Sequence, residues 1–378
     1  ELKQDLKFIT KGLFLRGLMN TSRYSYFDVT RSYNPFYYNA STWDREDNSY
    51  QLSLLNENTG TEYLNYSPGT KDMTSEIYME GSANYDAKFK ENHGVSGMLV
   101  LMLRSKLTGN ASDLQASLPY RNVGLSGRFT YAYSNRYFTE FNFGYNGSER
   151  FHGTHRFGFF PSVGLGWSLS NETFWNDKLK DIFPKARFKA TYGLVGNDAI
   201  GNDRFLYLSN VNMNNSNYSA TFGQSYGNRV TKAGISIGRY SNQDITWEIA
   251  KKANLGLELN LLNSFDINVD VYKEHRTNIY MIRSATPATM GLQSQPGANI
   301  GEATGQGVDL SIDYNKVFNK YFWIQGRANI TYATSKYLVY EEPSYENTPW
   351  KSHVGYPIAQ QWGYIAERLF VDDAEALN

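Results

Sequence analysis

The stretch "GRFTYAYSNRYFTEFNFGYNGSERF", residues 127–151, sets an aromatic at nearly every second position on both sides of a three-residue break. Phe129, Tyr131 and Tyr133 share one face, Ser134-Asn135-Arg136 turns the chain, and Tyr137, Phe141, Phe143 and Tyr145 continue the same face. A period of two is the signature of a strand, so the stretch reads as a β-hairpin. The opposite face carries Arg128, Thr130, Glu140, Asn142 and Asn146, interrupted by Ala132, Phe138 and Gly144. One side of the hairpin therefore seeks an apolar medium and the other seeks water.

The same design recurs along the chain. Residues 77–89 set Ile77, Met79, Ala83, Tyr85 and Phe89 against Glu80, Ser82, Asn84, Asp86 and Lys88; after "KENHG" the partner run carries Val95, Leu99, Leu101 and Leu103. Leu255, Leu257, Leu259 and Leu261 alternate with Asn254, Gly256, Glu258 and Asn260, "LNS" turns, and Phe265, Ile267, Val269 and Val271 alternate with Asp266, Asn268 and Asp270. Such carboxylates would be very costly in a dry interior and fit a hydrated lumen. A fourth hairpin sets Val308, Leu310, Ile312 and Tyr314 against Asp309, Ser311, Asp313 and Asn315; "KVFNK" turns, and Phe322, Ile324, Ala328, Ile330 and Tyr332 follow. Its strands, like the others, run roughly 9–13 residues, the length a tilted strand needs to cross a bilayer.

Between the hairpins lie polar stretches at 31–50, 56–73, 106–120, 208–243 and 338–356, read as long loops opposite short turns, the asymmetry of outer-membrane barrels. The expectation is about fourteen strands, one domain over 1–378, and no helix beyond a short turn near 371–378. Tyr131, Tyr133, Tyr137, Tyr314, Tyr321, Phe322, Trp323, Trp362 and Tyr364 suit interfacial girdles. The alternative architecture is a soluble or surface-attached β-rich carbohydrate-binding protein, whose second sheet would cover the apolar faces.

Composition agrees with an all-β chain: 378 residues hold 30 Tyr, 22 Phe and 32 Gly but only 10 Pro. The 37 basic and 37 acidic residues cancel, which removes any bulk argument for nucleic acid as partner. Without Cys there is no disulfide framework or thiolate metal site. No apolar run reaches the ~18 residues of a transmembrane helix, and the chain opens on "ELKQDLK" without a visible export signal. A mean hydropathy of -0.54 does not exclude a barrel, because lipid-facing and lumen-facing residues cancel in any average.

Six ordered words then point to a family: "FITKGLFLRG" (8–17), "NGSERF...HRFGFFPSVGLGWSLSNETFW" (146–175), "ARFKATYGLVGNDAIGNDRFLYL" (186–208), the run from Ile245 to Leu292, "PGANIGEATGQGVDLSIDYN" (296–315) and "GYPIAQQWGYIAERLF" (355–370). Together they resemble the barrel of SusC/RagA-like TonB-dependent outer-membrane transporters of Bacteroidetes. Gly305 and Asp309 stand where that family usually shows Asn and Glu, and Asn146-Gly147 replaces the commoner Asp-Gly, changes compatible with turns or chemically close. The resemblance implies an antiparallel transmembrane β-barrel of about 22 strands closed by a plug. It also implies energy from the TonB–ExbB–ExbD complex, a SusD-like surface lipoprotein as lid, and import of an oligosaccharide or a peptide across outer-membrane lipid. The chain carries fewer strands than that and no evident plug, so the expectation is an interior segment of a longer barrel.

No cofactor, metal or catalytic residue is expected. His93, His152, His155, His275 and His353 are scattered, and no Ser-His-Asp set is defined. The inner-face carboxylates follow strand period, not the fixed separation of a glycosidase pair. "GLVGNDAIGND" (193–203) lacks the Gly-Lys-Ser/Thr and following helix of a phosphate loop; its Gly and Asn-Asp pairs favour a turn, and the family resemblance implies a strand leading there into an external loop. Trp43, Trp175, Trp247 and Trp350 are the candidate ligand contacts, since sugar rings stack on such side chains; girdle or loop packing is the competing role.

Overall fold

The computed structural model describes all residues except 112, 202, 225, 226, 367, 370 and 372–378. Among the described residues there are sixteen strands: β1 (Leu2–Asp5), β2 (Leu13–Ser32), β3 (Tyr38–Asp44), β4 (Ser49–Leu54), β5 (Asn65–Phe89), β6 (His93–Thr108), β7 (Tyr120–Tyr133), β8 (Tyr137–Ser148), β9 (Phe157–Ser168), β10 (Lys185–Asn197), β11 (Asn210–Phe222), β12 (Val230–Arg239), β13 (Glu248–Leu261), β14 (Phe265–Ile282), β15 (Gly297–Asn319) and β16 (Phe322–Val339). Twelve belong to one sheet in the order β1-β2-β5-β6-β7-β8-β9-β10-β13-β14-β15-β16, while β3–β4 and β11–β12 form separate two-stranded sheets. Two short helices, α1 (Leu114–Ser117) and α2 (Asp177–Ile182), lie in connections.

The chain divides into two compact units. The first holds Gly17–Glu80 and Met102–Asn122; the second holds Leu2–Arg16, Gly81–Leu101 and Val123–Asn378. In the first unit the strand ends run far past bilayer length: β5 has 25 residues, and Arg104 of β6 meets Glu76 of β5 through Nε–Oε1 at 2.8 Å. In the second unit neighbouring strands pair antiparallel from β8 through β10 and β13 to β16.

Register fixes the two faces of that second sheet. Successive rows such as Phe188–Leu257–Val269–Leu310–Ile330 and Ala190–Leu255–Val271–Val308–Tyr332 are apolar across five strands. The intervening rows, among them Arg187–Glu258–Asn268–Ser311–Asn329, are polar. Among the described residues no second layer covers the apolar rows: Leu255 is 65% exposed, and eight apolar side chains among those residues are buried. A soluble chain of this size buries most of its apolar surface. The apolar face is therefore built for lipid. From Leu255 to Leu261 and on the matching strands, the band covers about 20 Å along the strand before its aromatic borders, the order of the outward apolar band of barrels.

The rims differ as the hairpin pattern predicts. One rim carries the short turns at 90–92, 134–136, 262–264 and 320–321 together with one longer connection, 169–184, which holds α2; the other carries 149–156, 198–247 and 283–296. The β15–β16 turn is tighter than the expected "KVFNK", because β15 pairs on to Asn319. Asn146 and Gly147 also stay in the ladder, opposite Gly158 and Phe157, and do not turn. Four expectations about loops and helices are corrected. Residues 38–54 and 210–239 form the hairpins β3–β4 and β11–β12, and 65–73 belongs to β5. Main-chain pairing needs no apolar side chain, so polar sequence extends strands beyond the bilayer. In β11–β12, register shifts between Asn210/Val211, Asn212/Asn215 and Asn215/Ala220 break the alternation that would have revealed it. Helix α2 is too short for a helical period to show, but Asn176 caps it by accepting from the Leu179 amide at 3.0 Å. The turn expected near 371–378 lies, past Val371, outside the described residues.

The tight turns achieve the left-handed geometry of type I′ without glycine: Ser134 and Asn135 have φ 49° and 53°, and Leu262 and Asn263 have φ 53° and 50°. That conformation costs leucine roughly 1–2 kcal/mol. Leu262→Asn combined with Asn263→Gly is expected to stabilise the folded barrel by about 1 kcal/mol, read as a higher midpoint in a heat-dependent gel shift. An unchanged or lower midpoint would show that Leu262 has a packing role that offsets its strain.

Candidate functional site: the polar face and the long-loop rim

The polar face of β7–β10 holds a groove of ≈ 620 Å³. Its floor is open because β9 presents Ser162, Gly164 and Gly166 there, opposite Asn142, Glu140 and Phe138 of β8. The walls are charged. Arg128 donates from Nη2 to Glu140 Oε2 at 2.6 Å, and Asn142 Nδ2 donates to the other Glu140 oxygen at 2.8 Å. On the far side Glu258 collects three cations, Lys189 at 2.6 Å, Lys185 at 2.9 Å and Arg187 at 3.8 Å. The Arg187 guanidinium lies 5.3 Å from the centre of the Phe138 ring, a cation–π distance. Further up the face Glu274 binds both Lys252 and Arg276.

Beyond this ladder carboxylates face each other directly: Asp266 pairs with Asp313 and Asp270 with Asp309. Only the Asp266–Asp313 row gains a cation, from Arg327 of β16. Like charges directly opposite are destabilising unless water screens them. Arg187 Nε, Asn254 Oδ1 and Asn260 Oδ1, all on this face, have no hydrogen-bond partner in the protein. Their neighbours shield these three atoms from solvent, so it is the facing carboxylates that require water on this face. The polar face is thus a hydrated, mixed-charge wall, able to offer donors and acceptors to a passing polar solute. Among the described residues no group of three or more His, Cys, Asp or Glu side chains is placed to hold a metal ion.

At the long-loop rim the second unit has its one buried apolar cluster among the described residues: Phe151, Ile200, Leu206, Ile245 and Trp247. The loops at 149–156 and 198–209 are tied to it by polar contacts. Arg239 donates from Nε to Leu208 O at 2.9 Å and pairs with Asp203 at 2.9 Å; Arg150 Nη1 donates to Gly201 O at 2.5 Å; Ser148 donates to Asp198 at 2.7 Å. "GLVGNDAIGND" accordingly leaves β10 at Asn197 for the long-loop rim, the path the family resemblance implies.

The four candidate tryptophans fall in different settings. Trp43 on β3 is 50% exposed, donates to Asn48 Oδ1 at 3.3 Å and stacks on Tyr50. Trp350 is 63% exposed in the turn Pro349–Lys351. Trp175 sits at the short-turn rim, donating to Phe183 O at 3.1 Å. Trp247 is 7% exposed, its ring held between Phe151 and Phe160 at 5.2 Å each, so it serves as core. The structure brings none of Trp175, Trp247 and Trp350 into contact with another. Of the expected girdle residues, Trp362 packs on His353 and Tyr356 outside any strand. His353 in turn is held by Glu342, whose carboxyl accepts from the His353 amide at 2.9 Å.

A clamp at the short-turn rim has no signature in the sequence. Glu172 accepts from Trp167 Nε1 at 2.9 Å and pairs with Arg136 at 3.6 Å, while Asn171 Nδ2 donates to Asn135 O at 2.7 Å. The Tyr137 hydroxyl, followed by the Trp167 indole, holds the Glu172 carboxyl below the usual carboxylate range. A depressed acid contributes stability at neutral pH and loses it as pH falls through the folded-state value. Wild type is therefore expected to exceed Glu172→Gln in gel-shift midpoint at neutral pH, with the gap closing as pH falls through the lowered folded-state value; a gap independent of pH would assign the clamp to shape and not to charge.

A single-layer sheet with one lipid face, one hydrated face, short turns at one rim and long loops at the other defines an outer-membrane β-barrel wall. Residues 5–369 match the TonB dependent receptor-like, beta-barrel family, and the chain belongs to it. It is 29% identical over 221 residues to the TonB-dependent receptor SusC of Bacteroides thetaiotaomicron, covering 58% of this chain and 21% of that protein. It is 24% identical over 312 residues to the TonB-dependent receptor P39 of Formosa agariphila, covering 75% of this chain and 28% of that one. The chain thus spans about a fifth to a quarter of the curated relatives' length. The RagAB peptide transporter structure superposes with a TM-score of 0.62 at 20% identity, over 87% of this chain and 35% of that one, a likeness of fold. The chain is thereby a SusC/RagA-like outer-membrane barrel segment, and the soluble alternative falls.

Proposed function

We propose that residues 1–378 form part of one barrel domain of an importer that carries a bulky polar nutrient across the outer membrane, driven through the TonB–ExbB–ExbD complex and covered by a SusD-like surface lipoprotein. The cargo is an oligosaccharide or glycan fragment. The observation that carries this reading is the hydrated polar face, where a groove of ≈ 620 Å³ is lined by Arg, Lys, Glu, Asn and Thr side chains that can bind hydroxyls without fixing one covalent chemistry. Trp43 and Trp350, with exposed rings, are the proposed stacking contacts among the four tryptophans. The alternating charges of Arg128–Glu140 and Lys189–Glu258 favour a second reading, a peptide cargo, whose termini and side chains would find both signs along the wall. Uptake of fluorescent oligosaccharide and peptide pools by cells with and without the full-length transporter, in TonB-competent and TonB-deficient backgrounds, separates the readings. Loss of oligosaccharide uptake in both mutants is the expected result, loss of peptide uptake alone selects the second reading, and unchanged uptake of both pools overturns the importer.

A further inference from the structure

On the lipid face the apolar rows end abruptly toward the long-loop rim. Above the row Ala190–Leu255–Val271–Val308–Tyr332 comes Tyr192–Ala253–Lys273–Gln306–Thr334, and above that Leu194–Lys251–His275–Thr304–Lys336, so the break falls on β13 to β16 while β10 stays apolar. Three lysines thus stand on the side that faces lipid, within two rows of each other, where the hydrocarbon band stops. Glu302, the carboxylate nearest this patch, meets His275 Nε2 at 3.1 Å. Among the described residues no carboxylate lies within ion-pair distance of Lys251, Lys273 or Lys336, whereas Lys252, one residue away on the polar face, is paired with Glu274.

Directly beneath the lysines the apolar wall is hollowed. Ala190 and Ala253 lie diagonally in successive rows, among the larger Leu165, Leu255, Tyr192 and Tyr332, leaving a groove of ≈ 690 Å³ that Lys273 and Gln306 line at its upper end. An apolar trough capped by ammonium groups at the bilayer boundary matches an amphiphile with an anionic head. Long loops mark the extracellular rim of such barrels, so the boundary in question is that of the outer leaflet. We propose that Lys251, Lys273 and Lys336 with the Ala190/Ala253 trough form a binding site for a phosphorylated lipid of the outer leaflet, its phosphate on the lysines and one acyl chain in the trough. The charge fits this occupant better than a second copy of the chain, whose identical lysine patch would repel. Ammonium groups near an anionic lipid surface contribute about fivefold in affinity each.

The test uses the full-length transporter purified from outer membranes, with lipid phosphorus per protein measured after exhaustive detergent exchange. Lys251→Gln/Lys273→Gln/Lys336→Gln is expected to lower retained phosphorus by more than tenfold. Ala253→Trp, which fills the trough and keeps the lysines, is expected to lower it several-fold, and Lys178→Gln, at the opposite rim, to leave it unchanged. A heat-dependent gel shift in each variant reports folding. Inorganic phosphate added to wild type is expected not to release the lipid, since it replaces only the head group. Wild-type phosphorus in the triple variant, equal loss in Lys178→Gln, displacement by phosphate alone, or a change in oligomeric state with lipid unchanged would each overturn the site.

Discussion

Replacing Trp247 by alanine is expected to open the long-loop rim. The indole packs between Phe151, fully buried, and Phe160, and Ile200, Leu206 and Ile245 complete the buried apolar cluster. Deleting a buried tryptophan costs about 3–5 kcal/mol. Because the loops at 149–156 and 198–209 are pinned to this cluster by Arg150, Arg239 and Ser148, the loss falls on local opening and leaves the membrane ladder intact. Hydrogen exchange at Leu206 and protease cleavage within 198–209 should accelerate by more than about a hundredfold, with the heat-dependent gel shift almost unmoved. Trp247→Phe separates packing from polarity. The indole Nε1 has no hydrogen-bond partner in the protein, so the phenyl ring removes an unsatisfied donor while keeping most of the contact. Its exchange rates should stay near wild type. Equal exchange in wild type and the alanine variant would show that the loops hold without this core.

How much of the fold is legible in the sequence follows from what each part of the chain has to satisfy. Strands that cross lipid must alternate, so Leu255, Leu257, Leu259 and Leu261 declare their face by spacing alone, and the hairpin at 127–151 fixes both its strands and its turn. Outside the bilayer that requirement lapses. The β3–β4 and β11–β12 hairpins are held by main-chain pairing, with Asn212 and Asn215 side chains capping their own backbone two residues on, and so look like loops. The polar groove is legible only as a polar face. That Gly164 lies beside Glu140 and Thr191, or that Glu258 gathers Lys185, Arg187 and Lys189, depends on register between strands far apart in sequence, which alternation does not specify. The tryptophans show the same limit from the other side: residue type marks Trp43 and Trp247 alike, while burial, set by neighbours such as Phe151, divides them.

Filling the groove at Gly164 is expected to have the largest effect on transport. A Cβ built at this position meets Thr191 Cγ2 at 3.6 Å and Glu140 Cβ at 3.7 Å, ordinary contact distances, so a side chain enters without moving the backbone. Strand geometry then directs it onto the polar face, between the Arg128–Glu140 pair and Lys189. Gly164→Trp should therefore fold at least as well as wild type, since tryptophan suits a strand better than glycine does. It should nonetheless lower uptake at limiting cargo by roughly tenfold or more, the scale of one lost polar contact at a site built to hydrogen-bond its ligand. Gly164→Ser adds a small polar group compatible with a hydrated wall and is expected to transport near the wild-type rate. Gly166 is the less suitable position, because its Cβ would lie 3.3 Å from Phe138 Cβ and force that ring, with the Arg187 guanidinium over it, to shift. Wild-type uptake by a folded Gly164→Trp protein would remove the groove from the path of the cargo.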